Sequence, residues 1–301
     1  MNETVATLTA KPVVKWAGGK GQLLNEIRKK YPAELGSRIN KYAEPFVGGG
    51  AVLFDVLNRY AIEEVYISDI NQELVHAYRT VRDCVEDLLQ QLKKYEKDYL
   101  SAEVDERKQF YYEKRDRFNA LKTAQDSTLE LAALFLFLNR TCFNGLYRVN
   151  AKGRFNVPQG SYKNPCICDE SNLRAVSQKL QGATIVCGDY KLASDFIDNK
   201  TFAYFDPPYR PLSPTANFTA YTQDGFDDIA QSELAGFIDK ISRRGAYIVA
   251  SNSDPKNMDE QDNFFDTLYA THNISRIQAS RAINSNGGKR GKVSELLIAS
   301  G

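Results

Sequence analysis

The sequence has few of the residues that mark metal sites and disulfide frameworks. Its 301 residues include two histidines and five cysteines, and only Cys166 and Cys168 stand close together. A C-x-C pair without a second pair or a nearby histidine does not match the ligand spacing of a zinc ribbon. We therefore expect free thiols and no metal cofactor.

Long apolar runs are also missing. The longest strongly apolar stretch extends from Leu131 to Leu138, well short of the about 20 residues that cross a bilayer. Residues 1–9 are polar and lack the basic-then-apolar pattern of a secretory signal. These features predict a soluble protein of a reducing compartment with no membrane partner.

The chain carries no strong charge of either sign, since its formal net charge is +1. Charge is nevertheless sorted along the chain. Three windows contain basic residues and no acids, namely residues 4–25, 131–168 and 276–294. Such windows are typical either of a solvated surface or of a basic face that meets phosphates, and the sequence leaves both interpretations open.

The order of apolar runs and glycines predicts an α/β fold. A strand over 42–47 stops at Gly48-Gly49-Gly50, and apolar residues at helical spacing follow over 51–58. A second strand over 64–69 ends in Asp69, and Asn71 is placed to cap the next helix. This pattern is typical of the opening of a doubly wound sheet.

A charged helical segment and a hairpin interrupt this rhythm. Residues 80–138 read as helices, and strands over 146–149 and 154–157 flank a turn at Gly153. The α/β pattern then returns, with strands over 184–187, 202–205, 246–250, 274–283 and 293–299 and helices over 190–197 and 228–242. We therefore predict a catalytic domain from residues 1–75 and 170–301, with an inserted domain over 76–169.

The glycine turn favours an adenosine-containing ligand. Glycines between a strand and a helix let backbone N–H groups approach a ligand at the positive end of the helix. Asp69 ends the next strand. Its separation from Gly50 along the sequence is about that at which an acid accepts hydrogen bonds from ribose hydroxyls in nucleotide-binding folds. Leu53 stands in place of the third glycine of G-x-G-x-x-G, which disfavours nicotinamide-dependent oxidoreduction. The alternative is a tight turn with a helix-capping acid.

A second loop contains Trp16-Ala17-Gly18-Gly19-Lys20. Val14 and Gly21 break the spacing of a P-loop, which disfavours NTPase activity. Two glycines between a tryptophan and a lysine suit a loop folded over a small ligand. The alternative is a surface turn in which the only tryptophan fills the core.

The most specific motif is Asp206-Pro207-Pro208-Tyr209, directly after an apolar strand. The prolines fix φ and remove two donors, which leaves the Asp206 carboxylate and the Pro207 carbonyl as acceptors beside an aromatic ring. This arrangement suits a planar ring that bears an amino group, whose lone pair becomes nucleophilic when both N–H bonds are held. Together with an adenosine-bearing electrophile, it indicates methyl transfer from S-adenosylmethionine. The alternative is a proline-terminated strand with a capping Asp.

With these motifs, the sequence resembles the Dam family of DNA adenine methyltransferases, of the α order. Residues 15–20 resemble the N-terminal cofactor motif, residues 44–50 resemble the cofactor glycine loop, and residues 206–209 resemble the DPPY box. The resemblance also covers residues 211–221 and 285–290, and residues 139–163 resemble the recognition hairpin of members that act at GATC. It implies a Rossmann-like methyltransferase sheet with an inserted, mainly helical target-recognition domain that carries a β-hairpin.

The resemblance implies a role for each matching position. Catalysis is expected of Asp206, Pro207, Pro208 and Tyr209. Binding of S-adenosylmethionine is expected of Trp16, Ala17, Gly18, Lys20, Glu44, Pro45, Phe46, Gly48, Gly50, Asp69 and Asp189, although Asp189 is equally suited to cap a helix. DNA binding is expected of Lys15, Arg140, Asn144, Leu146, Arg148, Pro158, Tyr162, Asn217, Asn286, Lys289 and Arg290.

Within the hairpin, the resemblance implies that Arg148 reads a guanine edge. Leu146 and Pro158 would contact a thymine methyl, and Tyr162 would fill the gap left by a flipped adenine. Residues 141–143 and Tyr147 differ from the members of the family, so the expectation of GATC rests on the other positions.

The expected partner is double-stranded DNA, and we expect a monomer in the cytoplasm of a bacterial or phage-infected cell, at the nucleoid. The sequence is compatible with a stand-alone regulator, a phage enzyme and a restriction partner alike. Two alternatives stay open: a methyltransferase with the same box that acts on RNA or on protein glutamine, and a DNA-binding relative without catalysis.

Overall fold

A computed structural model describes residues 9–210, 226–280 and 292–300. The described strands form a seven-stranded sheet in the order β3-β2-β1-β4-β5-β7-β6. The mixed α/β fold that the sequence predicts is therefore confirmed. Of the helices in these ranges, none combines the length and the apolar character that a membrane span requires.

The chain divides into two compact units. The second unit comprises Lys20–Val47, Tyr60–Ser68 and the described residues from Gly188 onward. Its strands are β1 (Lys41–Glu44), β2 (Glu64–Asp69, whose last residue belongs to the first unit), β4 (Thr201–Phe205), β5 (Tyr247–Ser253), β6 (Asn273–Ser280) and β7 (Lys292–Ala299). Its helices are α1 (Leu24–Arg28), α8 (Asp228–Ser242) and α9 (Phe264–Leu268).

Parallel pairing in the second unit positions the candidate site. β1 pairs in parallel with β2 and with β4, and β4 pairs in parallel with β5. β7 then pairs antiparallel with β5 and with β6. Every residue of β1 and β4 is buried, as expected for parallel strands covered on both faces. The carboxyl ends of β1, β4 and β5 therefore meet at one edge of the sheet, where ligands bind in such folds.

The first unit comprises the described residues up to Gly19, Gly48–Arg59 and Asp69–Cys187. It is mainly helical and also contains β3 (Thr184–Cys187). Its helices are α2 (Ala51–Arg59), α3 (Gln72–Asp83), α4 (Val85–Ser101), α5 (Val104–Thr123), α6 (Leu129–Thr141) and α7 (Glu170–Lys179).

Helix α6 is the core of the first unit. Residues 131–139 are all buried, and a helix that is apolar all round needs neighbours on every side. Helices α3, α4 and α5 pack against it. Thr128 begins the helix by accepting a hydrogen bond from the Leu131 backbone. The apolar run that is too short to cross a membrane is thus a buried core helix.

Three predicted elements differ from the structure. β1 ends at Glu44 and not at residue 47, because Pro45 has no N–H to continue the ladder. Residues 190–195 form a 3-10 helix and not an α-helix. The hairpin has one bridge, between Val149 and Phe155, and two flanking backbone hydrogen bonds, which is too few for regular strands. Gly153 does have the positive φ that the sequence predicts, at 71°.

Gly50 is the position where the turn after β1 most needs a glycine. Its φ is 72°, and an added Cβ would lie 2.8 Å from Tyr78 Oη and 3.0 Å from Phe54 Cε2. Both the backbone conformation and the space therefore exclude a side chain. The helix α2 starts directly after it, so the turn sets where that helix begins.

We predict that Gly50→Ala lowers the free energy of unfolding by about 1–3 kcal/mol, because it strains the backbone and crowds Tyr78. Gly236→Ala is the matched control, since nothing lies within 4 Å of an added Cβ there. Gly236 is inside α8, so alanine should stabilise by roughly 0.5–1 kcal/mol. Urea unfolding of both variants measures the two changes, and shifts of the same sign would contradict this account of the turn.

Candidate active site

The Asp206 carboxylate lies at the carboxyl end of β4 in the second unit. Phe205 and the rest of the strand are fully buried, whereas the Asp206 side chain is 20% exposed. Pro207 and Pro208 follow at once and have no N–H to donate. The Asp206 Oδ1 atom accepts a hydrogen bond from Ser251 Oγ at 2.9 Å. Ser251 is on β5, so the neighbouring strand fixes the orientation of the carboxylate.

Lys20 forms an ion pair with the same carboxylate. Its Nζ atom lies 2.8 Å from Asp206 Oδ1, and the Lys20 side chain is only 5% exposed. The ammonium also lies 4.6 Å from the centre of the Tyr209 ring. The sequence assigns Lys20 to the cofactor, and the structure places its charge on the DPPY box. A cation with N–H donors therefore stands where the sequence predicts that an amine is held.

The Tyr209 side chain is held by a residue that the sequence analysis did not identify. Its hydroxyl donates a 2.6 Å hydrogen bond to Glu295 Oε2 on β7. Burial, followed by the charges of Asp206 and Glu295, raises the pKa of Tyr209 well above its ordinary value. The hydroxyl is therefore protonated at neutral pH and acts as a donor. Only the charge of Glu295, next to the apolar end of β7, could have drawn attention to it.

Arg210 fixes the chain directly after Tyr209. Its guanidinium donates two hydrogen bonds to Asp228, at 2.6 and 2.9 Å, and one to Asp262 at 2.6 Å. It also lies 4.4 Å from the centre of the Phe264 ring. The hydrogen bond to Asp228 is the main cause that raises the Arg210 pKa. Two-point contacts of this kind fix orientation as well as position, so the box is restrained at its C-terminal end.

Phe46 belongs to the same edge of the second unit. Its ring stacks on Tyr190 with centroids 5.5 Å apart and contacts Phe205 edge-on at 6.4 Å. Phe46 therefore lies beside the residue that precedes Asp206. Glu44 is buried and accepts a 2.6 Å hydrogen bond from Tyr42, and Pro45 is buried next to it.

Asp189 caps a helix in the structure, as one of its two interpretations predicts. Its carboxylate accepts a 2.8 Å hydrogen bond from the Lys191 backbone at the start of the 3-10 helix Tyr190–Asp195. A carboxylate has four lone-pair positions, so this contact leaves acceptor capacity for a ligand, and the expected adenine contact stays a prediction.

The glycine turn lies in the first unit, and Asp69 holds it. Asp69 Oδ2 accepts from Gly48 N at 3.1 Å, and Oδ1 accepts from Asn71 N at 2.9 Å. Burial raises the Asp69 pKa, and these backbone hydrogen bonds oppose the rise. Tyr78 donates to the Gly48 carbonyl at 3.0 Å. The turn is therefore restrained at both the N–H and the carbonyl of Gly48.

Trp16 lies against the same turn. A Cβ atom at Gly48 would lie 2.8 Å from Trp16 Cδ1, so the indole occupies the space that a side chain at residue 48 would need. Trp16 is half-buried, while Ala17 and Gly18 are exposed and Gly18 has a φ of 76°. The structure thus brings together Trp16, Gly48 and Asp69.

The hairpin that the sequence predicts to recognise DNA also belongs to the first unit, and Asn139 links it to Lys15. The Asn139 side chain exchanges hydrogen bonds with the Lys15 N–H at 2.8 Å and the Lys15 carbonyl at 2.9 Å. The exposed Lys15 ammonium lies 4.4 Å from the centre of the Tyr162 ring. Arg140 donates to the Val13 carbonyl at 2.9 Å. Arg140 therefore also has a structural contact.

The side chains expected to read bases are on the surface of the hairpin. Arg148 is exposed, and its Nε atom donates to Asn156 Oδ1 at 2.8 Å. Asn144 and Pro158 are exposed and Leu146 is half-buried. Asn144 has a φ of 55°, which points to a tight turn that presents its neighbours.

Phe143 is a surface aromatic residue to which the sequence analysis gave no role beyond its departure from the family pattern. It is 50% exposed and directly precedes Asn144, and its backbone N–H donates to Pro158 O at 2.9 Å. A large exposed ring beside a tight turn is unusual in a structure whose other phenylalanines are largely covered. The Phe-Asn-Gly sequence was the available signal.

Four residues that are expected to bind DNA have no structural description. Asn217, Asn286, Lys289 and Arg290 are outside the described residues. Within the described ranges, no group of three or more His, Cys, Asp or Glu side chains is arranged to hold a metal ion.

Known proteins resemble this chain over nearly its whole length. A family model described as D12 class N6 adenine-specific DNA methyltransferase matches residues 16–283. The chain is 47% identical to the type II methyltransferase M.MjaIII of Methanocaldococcus jannaschii over 293 residues. These aligned residues cover 97% of this chain and 99% of that protein. It is 34% identical to the type II methyltransferase M1.LlaDCHI of Lactococcus lactis subsp. cremoris, over 97% of this chain and 95% of that protein.

A third relative is the DNA adenine methylase of Haemophilus influenzae, which is 35% identical over 98% of this chain and 95% of its own length. These relatives are named for DNA methylation, and the family model specifies adenine N6 as the acceptor. This finding favours DNA over RNA or protein glutamine as the substrate. The chain belongs to the D12 class of N6 adenine-specific DNA methyltransferases.

Proposed function

We propose that this chain transfers a methyl group from S-adenosylmethionine to the N6 atom of adenine at GATC in duplex DNA, after flipping the base out of the helix. Membership of the adenine methyltransferase family sets the reaction. The observation that carries the chemical detail is the Asp206 carboxylate, which Ser251 and Lys20 hold at the end of β4.

The residues of the glycine turn fit an adenosine-containing methyl donor. Gly48 has no side chain, and the Trp16 indole occupies the space that one would need. Asp69 accepts from the backbone N–H groups of Gly48, Asn71 and Ile70, so the fourth lone-pair position of its carboxylate is the one we assign to a ribose hydroxyl. When bound, the donor supplies a methyl group on a positively charged sulfur. We assign its binding to Trp16, Ala17, Gly18, Gly48, Gly50 and Asp69 of the first unit and keep Lys20, Glu44, Pro45, Phe46 and Asp189 as further predicted contacts.

Asp206 accepts a hydrogen bond from the adenine amine. Its contacts with Ser251 and Lys20 both use Oδ1, so Oδ2 is the acceptor that we assign to one N–H of the amine. The Pro207 carbonyl accepts the other N–H. Holding both N–H bonds turns the nitrogen lone pair away from the ring and toward the electrophile, and this positioning supplies much of the acceleration. Asp206 then takes up the proton that the methylated nitrogen releases.

Tyr209 stacks on the adenine ring. Its hydroxyl is fixed by Glu295, so the plane of the ring is set before the base arrives. The Lys20 ammonium stays on Oδ1 while the amine donates to Oδ2, so the two donors share the carboxylate. The ion pair therefore balances the charge of this partly exposed carboxylate before the substrate arrives.

We assign recognition of the sequence to the hairpin of residues 144–158. A guanidinium donates two hydrogen bonds to the O6 and N7 atoms of guanine in the major groove, and exposed Arg148 is the group we assign to that contact. Leu146 and Pro158 offer apolar surface to a thymine methyl. We assign phosphate contacts to the other basic residues that are expected to bind DNA, and such contacts make the DNA affinity strongly dependent on salt.

Base flipping needs a group that fills the space left by the adenine. The cost of extruding a paired base is a few kcal/mol, and apolar wedges between base steps lower it. Phe143 is half exposed beside Asn144, and Tyr162 is half-buried beside Lys15. We assign Phe143 the wedge and keep Tyr162 as the predicted filler of the gap. We also propose residues 76–169 as the recognition domain and a monomer as the active form.

The direct test is methylation of plasmid DNA with labelled S-adenosylmethionine. Restriction enzymes that distinguish methylated from unmethylated GATC then cut the product. We expect label in the DNA and a change of cutting at every GATC site. Label without that change would leave adenine methylation intact and refute GATC as the site, and an absence of label in DNA would refute the proposed reaction.

We predict that Asp206→Ala lowers methylation by at least about a hundredfold, because the amine loses its acceptor. DNA affinity should stay within a few-fold of the wild type, since Asp206 is not a phosphate or base-reading contact. Asp195→Ala, which removes an exposed carboxylate of the same unit, is the control. Single-turnover rates and equilibrium DNA binding measure the two effects. Near-normal turnover of Asp206→Ala would contradict the role of Asp206.

We predict that Arg148→Ala loses discrimination at a single guanine by roughly 1–3 kcal/mol. Arg154→Ala removes the same charge from the same hairpin and should weaken binding equally for all sequences. Competition binding with duplexes substituted at each position of GATC separates the two. A uniform loss of affinity for Arg148→Ala would show that Arg148 contacts phosphate instead.

A further inference from the structure

Tyr147 belongs to the hairpin of residues 144–158 and stacks on Trp16, which lies against the glycine turn, although neither the DPPY box nor the base-reading residues include it. It is the residue between Leu146 and Arg148, and it differs from the Dam-family pattern. Its side chain is half-buried. Its contacts with Trp16, Phe135, Glu73, Lys122 and Phe155 all lie within the first unit.

Two independent paths connect Tyr147 to the glycine turn. The first is aromatic: the Tyr147 ring stacks on Trp16 with centroids 5.7 Å apart and planes at 25°. The Trp16 ring in turn occupies the space beside Gly48, where an added Cβ would lie 2.8 Å from it. Phe135 packs against both rings, at 6.4 Å from Trp16 and 5.8 Å from Tyr147. The stack therefore has little freedom to slide.

The second path is polar. The Tyr147 hydroxyl donates to Glu73 Oε2 at 2.9 Å, and Lys122 Nζ donates to the same hydroxyl at 2.8 Å. Lys122 also forms a 2.7 Å ion pair with Glu73 Oε1. Burial and the Glu73 charge raise the Tyr147 pKa, so the phenol keeps its proton. Glu73 lies in the first turn of α3, four residues after Asp69, which holds the glycine turn.

Tyr147 is also continuous with the base-reading surface. Its ring contacts Phe155 at 5.8 Å, and Phe155 pairs with Val149 across the hairpin. The Asn156 N–H donates to the Arg148 carbonyl at 3.1 Å, and Asn156 Oδ1 accepts from Arg148 Nε at 2.8 Å. A displacement of the Tyr147 ring therefore moves the backbone from which the Arg148 side chain extends.

We propose that Tyr147 is a specificity-determining positioning residue that couples occupation of the glycine turn by the methyl donor to base discrimination by the hairpin. This inference rests on the proposed function, in which the donor binds at the turn and Arg148 reads DNA. A donor seated against Gly48 and Trp16 restrains the stack, and the stack restrains Leu146 and Arg148. Linkage requires the reverse effect, so a matched DNA sequence also tightens donor binding by the same factor.

The test measures the affinity for a GATC duplex and for the same duplex with one guanine replaced, with and without S-adenosylhomocysteine, the product that the donor leaves. In the wild type, we expect S-adenosylhomocysteine to increase the preference for GATC by at least about fivefold. Tyr147→Leu should reduce that increase to less than about twofold. Tyr147→Phe keeps the ring but loses the hydroxyl that contacts Glu73 and Lys122, so it should leave an intermediate increase, between about twofold and fivefold.

Two further variants keep the test decisive. Glu73→Gln leaves the Trp16–Tyr147 stack intact and removes the charge that holds the phenol and Lys122, so it should weaken the coupling even if Tyr147→Leu fails to fold. Tyr112→Phe is the control, because it removes a half-buried tyrosine hydroxyl from α5 where the ring packs on Tyr111 and Arg115. It should leave the coupling unchanged.

Steady-state kinetics give a second readout. At saturating cofactor, Tyr147→Leu should raise KM for DNA more than it lowers kcat, which a general loss of folded protein would not do. The inference is overturned if the wild type shows no effect of S-adenosylhomocysteine on discrimination, or if Tyr147→Leu folds and keeps the full effect. The proposed function fails separately, if the wild type does not methylate adenine in the GATC duplex.

Discussion

The proposed chemistry depends on one carboxylate, Asp206, which is held at the end of a buried parallel strand. β4 is covered on both faces, and the two prolines that follow Asp206 offer no N–H groups to satisfy it. Ser251 and Lys20 supply the donors instead. The carboxylate is therefore oriented by the sheet and neutralised by a lysine, without using the oxygen that an incoming amine needs. An acceptor fixed in this way loses little freedom when the substrate arrives.

The residues around this carboxylate show how the box keeps its shape. Glu295 fixes the Tyr209 hydroxyl, and Arg210 ties the next residue to Asp228 and Asp262. Each contact joins the box to a different element of the second unit. The box is thus restrained on both sides of its aromatic ring, and its rigidity comes from polar contacts as well as from the prolines.

In the first unit, polar side-chain contacts likewise restrain the glycine turn and the hairpin. Asp69 and Tyr78 hold Gly48 from two directions, and Asn139 binds the backbone of Lys15 through both of its amide atoms. Side-chain amides, carboxylates and hydroxyls make hydrogen bonds with backbone N–H and carbonyl groups in loops, where these groups have no partner in a sheet or helix. The loops that we assign to ligand binding are therefore ordered in part by side chains such as Tyr78 and Asn139, to which we assign no ligand contact.

The sequence predicts the local features of this molecule well. The strand over 64–69, the Asn71 cap, the helix over 228–242 and the turn at Gly153 all follow from short-range patterns that need no tertiary information. The family resemblance located the DPPY box, the glycine turn and the hairpin, and the family itself is confirmed.

Contacts between residues far apart in the chain were not predictable in this way. Glu295 lies 86 residues from Tyr209 and has no motif of its own. Lys20 was assigned by its neighbours in sequence, and only the fold shows that its charge meets Asp206, which is 186 positions later in the chain. Tyr147 was visible only as a departure from the family pattern, and its role follows from the rings and the ion pair around it. A side chain that acts by positioning another side chain does not belong to a motif of fixed spacing, so the sequence alone does not reveal it.

The most direct measurement is a crystal structure of the chain with S-adenosylhomocysteine and a GATC duplex. We expect the target adenine to be flipped, with N6 within about 3 Å of Asp206 Oδ2 and of the Pro207 carbonyl, and with the Lys20 ammonium still paired with Oδ1. An adenine bound elsewhere, or one bound with its amine away from an intact Lys20–Asp206 pair, would contradict the central role given to that carboxylate.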